Sequence, residues 1–327
     1  MPQICIYGLG AIGGLIAGRL ALAGYSVNAV ARGATLERVR REGLSVSDSA
    51  GTRCVGIRVE QDPAVLGVQD VVVLSVKTTA LPQVAQAIAP LIGPETVVLS
   101  AMNGIPWWFL HGLQTAPAGL TLESVDPQGT LSGAIAPQQV LGCVTHLSAS
   151  VPEAGHVCQV AGNRLIVGAP QGPCTQAQQA VVQMLATAGF DVAVTHSIQS
   201  EIWFKLWGNM TMNPVSLLTG GTGEQILDDV YIQDFLSRCM LEAAAIGQRI
   251  GLSIQMTPQE RHQVTRKLGA FKTSMLQDVE AGKPVELDAL LRVVIEIGGQ
   301  VGVSMPNLEA LMGLSGLKAR NLGLYAA

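Results

Sequence analysis

The order of apolar and polar positions divides the chain into two textures. Residues 3–7 (QICIY) are a short apolar run compatible with a β-strand. A glycine-rich turn follows, and then a helical period from 12 to 23 that ends at Gly24. A second strand is predicted at 26–31 and a helical segment at 36–41. The run DVVVLS at 70–75 has a continuous apolar centre, Val71 to Leu74, as strands buried on both faces of a parallel sheet do. A helix over 81–91, strands at 96–99, 140–148, 156–160 and 164–168, a helix over 176–188 and a last strand at 190–195 extend the series. Alternating strands and helices of this kind predict a doubly wound α/β sheet. Beyond about residue 195 the strand-like runs stop, and helical periods occupy 198–219, 226–251, 257–282 and 285–302. The expectation is therefore two domains, 1–195 with the sheet and 196–327 all-helical. Residues 111–139 are rich in Gly, Pro and Thr with little periodicity, and read as a long loop over the first domain.

Composition narrows the function classes. At 327 residues the chain suits two cores better than one. Charged residues make up 13% and the net charge is −4, and the one basic cluster, Arg38, Arg40 and Arg41, falls on a helical segment as a solvated face. That balance gives nucleic-acid binding no support. The apolar and glycine stretch from Ile4 to Gly18 is too short to span a membrane, and it carries no preceding basic region and too many glycines for a signal peptide. Six scattered cysteines form no CxxC pair, and five histidines show no HxxxH or HxH spacing, so no metal site is expected. The picture is a soluble, cytoplasmic protein with free thiols, and a homodimer is one way of hiding its apolar surface.

The chemistry begins at Gly8-Leu9-Gly10-Ala11-Ile12-Gly13. This G-x-G-x-x-G follows a strand and opens a helix, the context in which the pattern binds a dinucleotide. Gly8 allows a tight turn, Gly10 lets backbone approach a pyrophosphate, and Gly13 lets the helix pack close to the strand. The helix N-terminus then stabilises phosphate charge. A Rossmann-like first domain is the reading. The second strand ends Val30-Ala31-Arg32 with no acid after it. A carboxylate there would select NAD through the ribose hydroxyls, whereas a guanidinium can grip a 2′-phosphate, so NADPH is favoured. Lys77 closes the buried strand and Asn103-Gly104 follows the next one, both at carboxyl ends where such sheets bind ligands. A snorkelling lysine and a plain turn dipeptide are the alternatives for these two.

The segment EIWFKLWGNMTMNPVSLLT at 201–219 carries the second candidate site. Lys205, Asn209 and Asn213 recur every four residues, with Glu201 below them, and so rise along one helix face. Their neighbours are nearly all apolar. A polar stripe one residue wide on such a helix suits the wall of a cleft better than a solvent face. Two tryptophans flank Lys205 and would desolvate its amine and lower its pKa, or else simply pack as core.

These blocks, with IYGLGAIGGLIAGRLALAGYSV, SVK at 75–77, KLWGNMTMNP at 205–214 and TSMLQDVEAGKPVELD at 273–288, resemble the ketopantoate reductase family along almost the whole chain. The resemblance implies a Rossmann domain plus a helical domain with the active site in the cleft between them. It also implies NADPH-dependent reduction of 2-dehydropantoate, a 2-oxo acid, to pantoate, on the route to pantothenate. By it, Arg32 holds the 2′-phosphate, Lys77 and Asn103 contact the cofactor, and Lys205 donates the proton. Asn209, Asn213 and Ser274 surround the substrate, and Glu286 lies near the catalytic lysine. Three features depart from the family pattern: Thr222 before Gly223-Glu224, Leu291-Arg292 after the Glu-x-Asp, and the stretch 104–139. A different small ketone or 2-oxo acid is therefore an alternative substrate. A non-catalytic NADPH-binding sensor is the alternative of another class.

Overall fold

The structure is a computed structural model that describes residues 1–117 and 119–326. Its described residues separate into two compact units, one of residues 1–102 and 129–198, the other of the described residues of 103–128 and 199–326.

The first unit alternates strand and helix. In chain order it comprises β1 (Ile4–Tyr7), α1 (Ala11–Leu22), β2 (Val27–Val30), α2 (Gly33–Glu42), β3 (Leu44–Asp48), β4 (Gly51–Val55) and β5 (Arg58–Glu60). There follow β6 (Gln69–Leu74), α3 (Leu81–Ala87), β7 (Ile92–Ser100), α4 (Thr130–Ala134), β8 (Val140–Glu153), β9 (His156–Gly168), α5 (Gln176–Thr187) and β10 (Asp191–Val194). The strands form one sheet in the order β4-β3-β9-β8-β7-β6-β1-β2-β5, with β10 paired to β9. From β1 the chain winds one way to β2 and β5, and from β6 it winds the other way to β7 and β8, all in parallel register. The winding direction reverses between β1 and β6, and ligands of doubly wound sheets lie at the carboxyl ends of strands at such a point. The core is built where the apolar strand residues Ile4, Ile6, Val71 and Val73 meet Leu15, Ile16 and Leu20 of α1.

The second unit holds α6 (Ile198–Thr219, its first residue in the other unit), α7 (Gly223–Asp228), α8 (Val230–Arg249), α9 (Pro258–Arg266), α10 (Ser274–Glu280), α11 (Val293–Gln300) and α12 (Pro306–Asn321). A π-turn over Asp288–Arg292 runs directly into α11.

Several expectations need correction. Of the stretch 111–139, expected as a loop over the first domain, residues 129–139 do fall in the first unit, but 103–128 cluster with the helices, so the division at 195/196 is too simple. The reason is apolar: Ile105, Trp107, Trp108 and Phe109 are buried, and Phe109 stacks on Trp203 of α6 with ring centroids 6.0 Å apart. The Glu296 carboxylate accepts from the backbone N–H groups of Glu123 and Ser124 and fixes the far end of the segment. The single helix read over 226–251 breaks at Asp229, whose side chain caps α8 by accepting from Tyr231 N and Ile232 N. The one read over 257–282 breaks around Gly269, at φ +67°, and restarts at Thr273, the N-cap of α10. Strands β3, β4 and β5 lie outside the predicted series: β3 alternates buried Leu44 and Val46 with polar residues over only five positions, β4 is almost wholly exposed and β5 is three residues long, so none leaves a continuous apolar run. The two strands read at 156–160 and 164–168 are one, β9.

Candidate functional site

In the first unit the glycine loop joins β1 to α1. Gly8 holds φ +100°, a region closed to most side chains, and its N–H donates to the Val30 carbonyl of β2. A Cβ on Gly13 would run into the Gly8 carbonyl oxygen and Ser75 Oγ, so the helix can close on the loop only with glycine there. Ser75 Oγ in turn donates to the Gly8 carbonyl at 3.0 Å, linking the ends of β1 and β6. Gly10 is exposed, with nothing within 4 Å of the place a Cβ would take. It is the N-cap of α1, with no side-chain cap and no acid in the first turn. Leu9 is buried, and Ala11 and Ile12 are half-buried. An open loop over an uncapped helix N-terminus fits a pyrophosphate, whose charge the helix dipole stabilises and whose oxygens the free N–H groups can satisfy.

Arg32 is exposed at the N-terminus of α2 and donates to Gln83 Oε1 at 3.1 Å. An acid does stand near the end of β2, which sequence distance concealed. Glu60 lies opposite Val30 on β5, but its carboxylate is held by Arg40 at 2.6 Å and Arg58 at 3.4 Å. Lys77 follows β6, half-buried, at the start of a short 3-10 turn.

In the second unit α6 presents a narrow open face. From Glu201 to Leu217 every residue is buried except Glu201, Phe204, Lys205 and Asn209, which share one face by their spacing. Trp203 and Trp207 anchor the opposite side, and Trp207 Nε1 donates to the Met240 carbonyl at 2.7 Å. Asn213, one turn above Asn209, is itself buried. Pro214 follows it, and with no N–H to give it leaves the Met210 carbonyl without its helical donor.

Lys205 Nζ donates to Asn103 Oδ1 at 3.0 Å. The approach of Asn103 is fixed by its neighbours. Gly104 has φ +79° and lies against the Ala289 peptide so closely that a Cβ would overlap it, and the Ile105 N–H donates to the Ala289 carbonyl at 2.9 Å. Ala289 belongs to the π-turn, whose wider hydrogen bonding releases a carbonyl to an outside donor. Glu286, half-buried, stands just before that turn. The segment is braced by Val285 N–H donating to the Leu324 carbonyl and by the Tyr325 hydroxyl donating to Asp288. Burial, followed by the Asp288 carboxylate, pushes the Tyr325 phenol up to about 12, so it stays a donor at neutral pH.

Ser274 is exposed at the first turn of α10. Its predecessor Thr273 caps that helix through Leu276 N and meets Ser216 Oγ of α6, which ties α10 to the lysine helix. Thr222 is occupied by a capping box at the start of α7, where its hydroxyl accepts from Gln225 N and Gln225 Oε1 accepts from Thr222 N. Arg292 pairs with Asp288 at 3.6 Å inside the π-turn. Among the described residues no group of His, Cys, Asp and Glu could hold a metal ion, and no helix is long and apolar enough to cross a membrane. The six cysteines are free; Cys5, Cys143 and Cys239 are buried, and Cys54 is exposed.

Thus Gly8 to Gly13, Arg32 and Lys77 fall in the first unit, and Asn103, Lys205, Asn209, Asn213, Ser274 and Glu286 in the second. The Lys205–Asn103 contact was missed in the sequence, where a 102-residue separation hides it. The Asn-Gly dipeptide was its only local trace.

A glycine loop with the shape for a pyrophosphate at a switch point, and a lysine held on a half-buried face, fit one class: a nucleotide-dependent oxidoreductase. The family pattern described as Ketopantoate reductase PanE/ApbA matches residues 4–172, and that of its C-terminal part matches 197–319. The chain is 38% identical over 325 residues to the 2-dehydropantoate 2-reductase of Mesorhizobium japonicum, covering 99% of this chain and 100% of that one. It is 47% identical, with a TM-score of 0.95 and 99% coverage of each chain, to a solved Ralstonia solanacearum structure assigned as a ketopantoate reductase. A D-mandelate dehydrogenase solved with NADH and anilino(oxo)acetate shares the fold at 18% identity and a TM-score of 0.83, over 98% of this chain and 99% of that one. The chain belongs to the ketopantoate reductase family of NAD(P)-dependent oxidoreductases.

Proposed function

We propose that the chain reduces 2-dehydropantoate to pantoate with NADPH, in cytoplasmic pantothenate synthesis, and that Lys205 is the proton donor. The observation that carries the reading is the Lys205–Asn103 hydrogen bond on the one open face of an otherwise buried helix. The nicotinamide, when bound, supplies the hydride. Gly8 to Gly13 would hold the pyrophosphate, Arg32 the 2′-phosphate, and Lys77 the nucleotide from the end of β6. Hydride arrival at the ketone carbon leaves negative charge on oxygen. The Lys205 ammonium stabilises that charge and delivers a proton from Nζ. Asn103 accepts one of the three ammonium N–H bonds and so aims the others. Asn209, Asn213 and Ser274 supply donors and acceptors for the hydroxyl and carboxylate of the substrate, and Glu286 supports the lysine.

The preference for NADPH rests on Arg32 and on the Glu60 carboxylate being held by two arginines, which leaves a cation to meet the phosphate. The test is oxidation of the reduced nicotinamide, followed by its absorbance, with 2-dehydropantoate and a panel of other 2-oxo acids. Turnover with 2-dehydropantoate far above the rest supports the assignment. Turnover only with another 2-oxo acid replaces the substrate and keeps the reaction. Lys205→Ala should lower kcat by roughly 1,000-fold while nucleotide affinity stays unchanged. An unchanged kcat would sink Lys205 as donor, and a protein that binds NADPH without any turnover would be a sensor.

A further inference from the structure

A second cation stands at the edge of the open face of α6, over Phe204 and the buried Gly208, and has no place in the reaction described so far. Arg261, on α9, lays its guanidinium over the Phe204 ring, with Cζ 5.3 Å from the ring centroid. It also covers Gly208, where a Cβ would stand 2.6 Å from Nη2 and 3.2 Å from both Cζ and Nε. Gly208 is therefore the position that gives the guanidinium room to lie against the helix. Nε is buried without a hydrogen-bond partner, and among the described residues no carboxylate pairs with the group. The other arginines with buried or half-buried side chains are matched: Arg19 by Gln159 and Asn163, Arg38 by Glu42 and Glu153, Arg266 by Asp228. Burial alone pushes the Arg261 guanidinium below its usual value, yet arginine keeps its proton in proteins.

A half-buried guanidinium stacked on an aromatic ring, with no carboxylate of its own, fits an anion that brings its own oxygens. Its place on the helix says which anion. Gly208 is three residues beyond Lys205 and one before Asn209, and side chains three apart on a helix have Cβ positions about 5–6 Å apart. A 2-oxo acid carries its carboxylate on the carbon next to the ketone. A carboxylate at Arg261 would leave the ketone oxygen toward the neighbouring Lys205 side of the helix.

We propose that Arg261 is a substrate-binding residue that anchors the carboxylate of the 2-oxo acid, with Phe204 and Gly208 as its platform. The assignment rests on the reductase reading above and adds to it a specificity determinant for acids over neutral ketones. Phe204 fixes the guanidinium plane, so the two N–H bonds of one edge point together. Lys205 is thereby left for the ketone oxygen instead of being drawn to the carboxylate.

The test separates binding from turnover. Oxamate, a stable carboxylate analogue of a 2-oxo acid, is titrated calorimetrically into the full-length protein saturated with NADP, with neutral oxamide as the control. The wild type should bind oxamate, and Arg261→Met should weaken it roughly 100-fold with nucleotide affinity intact. Arg261→Lys keeps the charge and loses the fork, and should lie between, about tenfold weaker. It carries the test if the methionine variant does not fold. Equal oxamate affinity in the variants overturns the proposal, and so does a wild type that ignores oxamate. In steady state, the preference for a 2-oxo acid over its methyl ester should collapse in Arg261→Met through KM, an effect a purely structural arginine would not give. Oxamate binding that depends on Arg261 in a protein with no 2-oxo acid turnover would leave this site standing and remove the proposed reaction.

Discussion

The glycine loop of the first unit and the lysine face of the second are built from different material. The loop works through backbone: its N–H groups, its open path at Gly10 and the space kept at Gly13 are what a phosphate would meet. Its side chains matter mainly by being absent. The lysine face works through side chains, and each is held by a residue distant in sequence: Lys205 by Asn103, Asn103-Gly104 by Ala289, and the Ser274 turn by Ser216. A backbone site tolerates change around it but no added carbon within it. A side-chain site tolerates small changes of packing but loses its aim when a partner is removed.

The sharpest way to break this contrast is Gly13→Ala. The new methyl would collide with the Gly8 carbonyl and Ser75 Oγ, which are a backbone atom and a hydrogen-bonded one. Nucleotide affinity should fall by more than about 100-fold, with a stability loss on the order of 1–3 kcal/mol seen in thermal melts. Retained affinity would mean that the helix can move off the loop and that the close packing is incidental.

Asn103→Ala tests the other half. Hydrogen bonds to charged groups contribute about 1.5–3 kcal/mol, so kcat/KM should fall roughly 10- to 100-fold. Nucleotide affinity, measured by fluorescence quenching, should hold. A loss of nucleotide affinity with kcat preserved would instead return Asn103 to the cofactor, the role the family resemblance gives it.

Arg32→Met should raise the Kd for NADPH by about tenfold, a smaller effect because the group is exposed, and leave NADH unchanged. Equal losses for both nucleotides would show that Arg32 shapes the loop rather than reading the phosphate. The smallest effect is expected at Thr222. As an N-cap it contributes about 1 kcal/mol to stability, so Thr222→Ala should lower the melting temperature slightly with KM untouched. A changed KM would place its hydroxyl at the substrate after all.

How much of this was legible in the sequence follows the same division. The loop could be read because its parts are contiguous: strand, turn, three glycines and helix fall within residues 4 to 22. The stripe on α6 could be read because helical periodicity alone puts Lys205 and Asn209 on one face. The course of residues 103–128 could not, because a segment poor in periodicity is placed by what its few large side chains bury. Here that is Phe109 against Trp203. Arg261 left no sequence signal, since nothing in PQERHQVTR separates a guanidinium stacked on another helix from one in water. Glu60 shows the converse: absent from the end of β2 in sequence, it arrives there through strand pairing.

By itself, then, the sequence determined the α/β and helical textures, the glycine loop between β1 and α1 and the polar stripe, because short-range sterics and the periods of strand and helix suffice for each. Only the tertiary structure decided which amide meets the lysine, which unit the 103–128 segment joins, and where Arg261 stands. Those depend on contacts between residues tens to hundreds of positions apart, where burial and hydrogen-bond satisfaction across the whole fold select one arrangement among many that the local pattern permits.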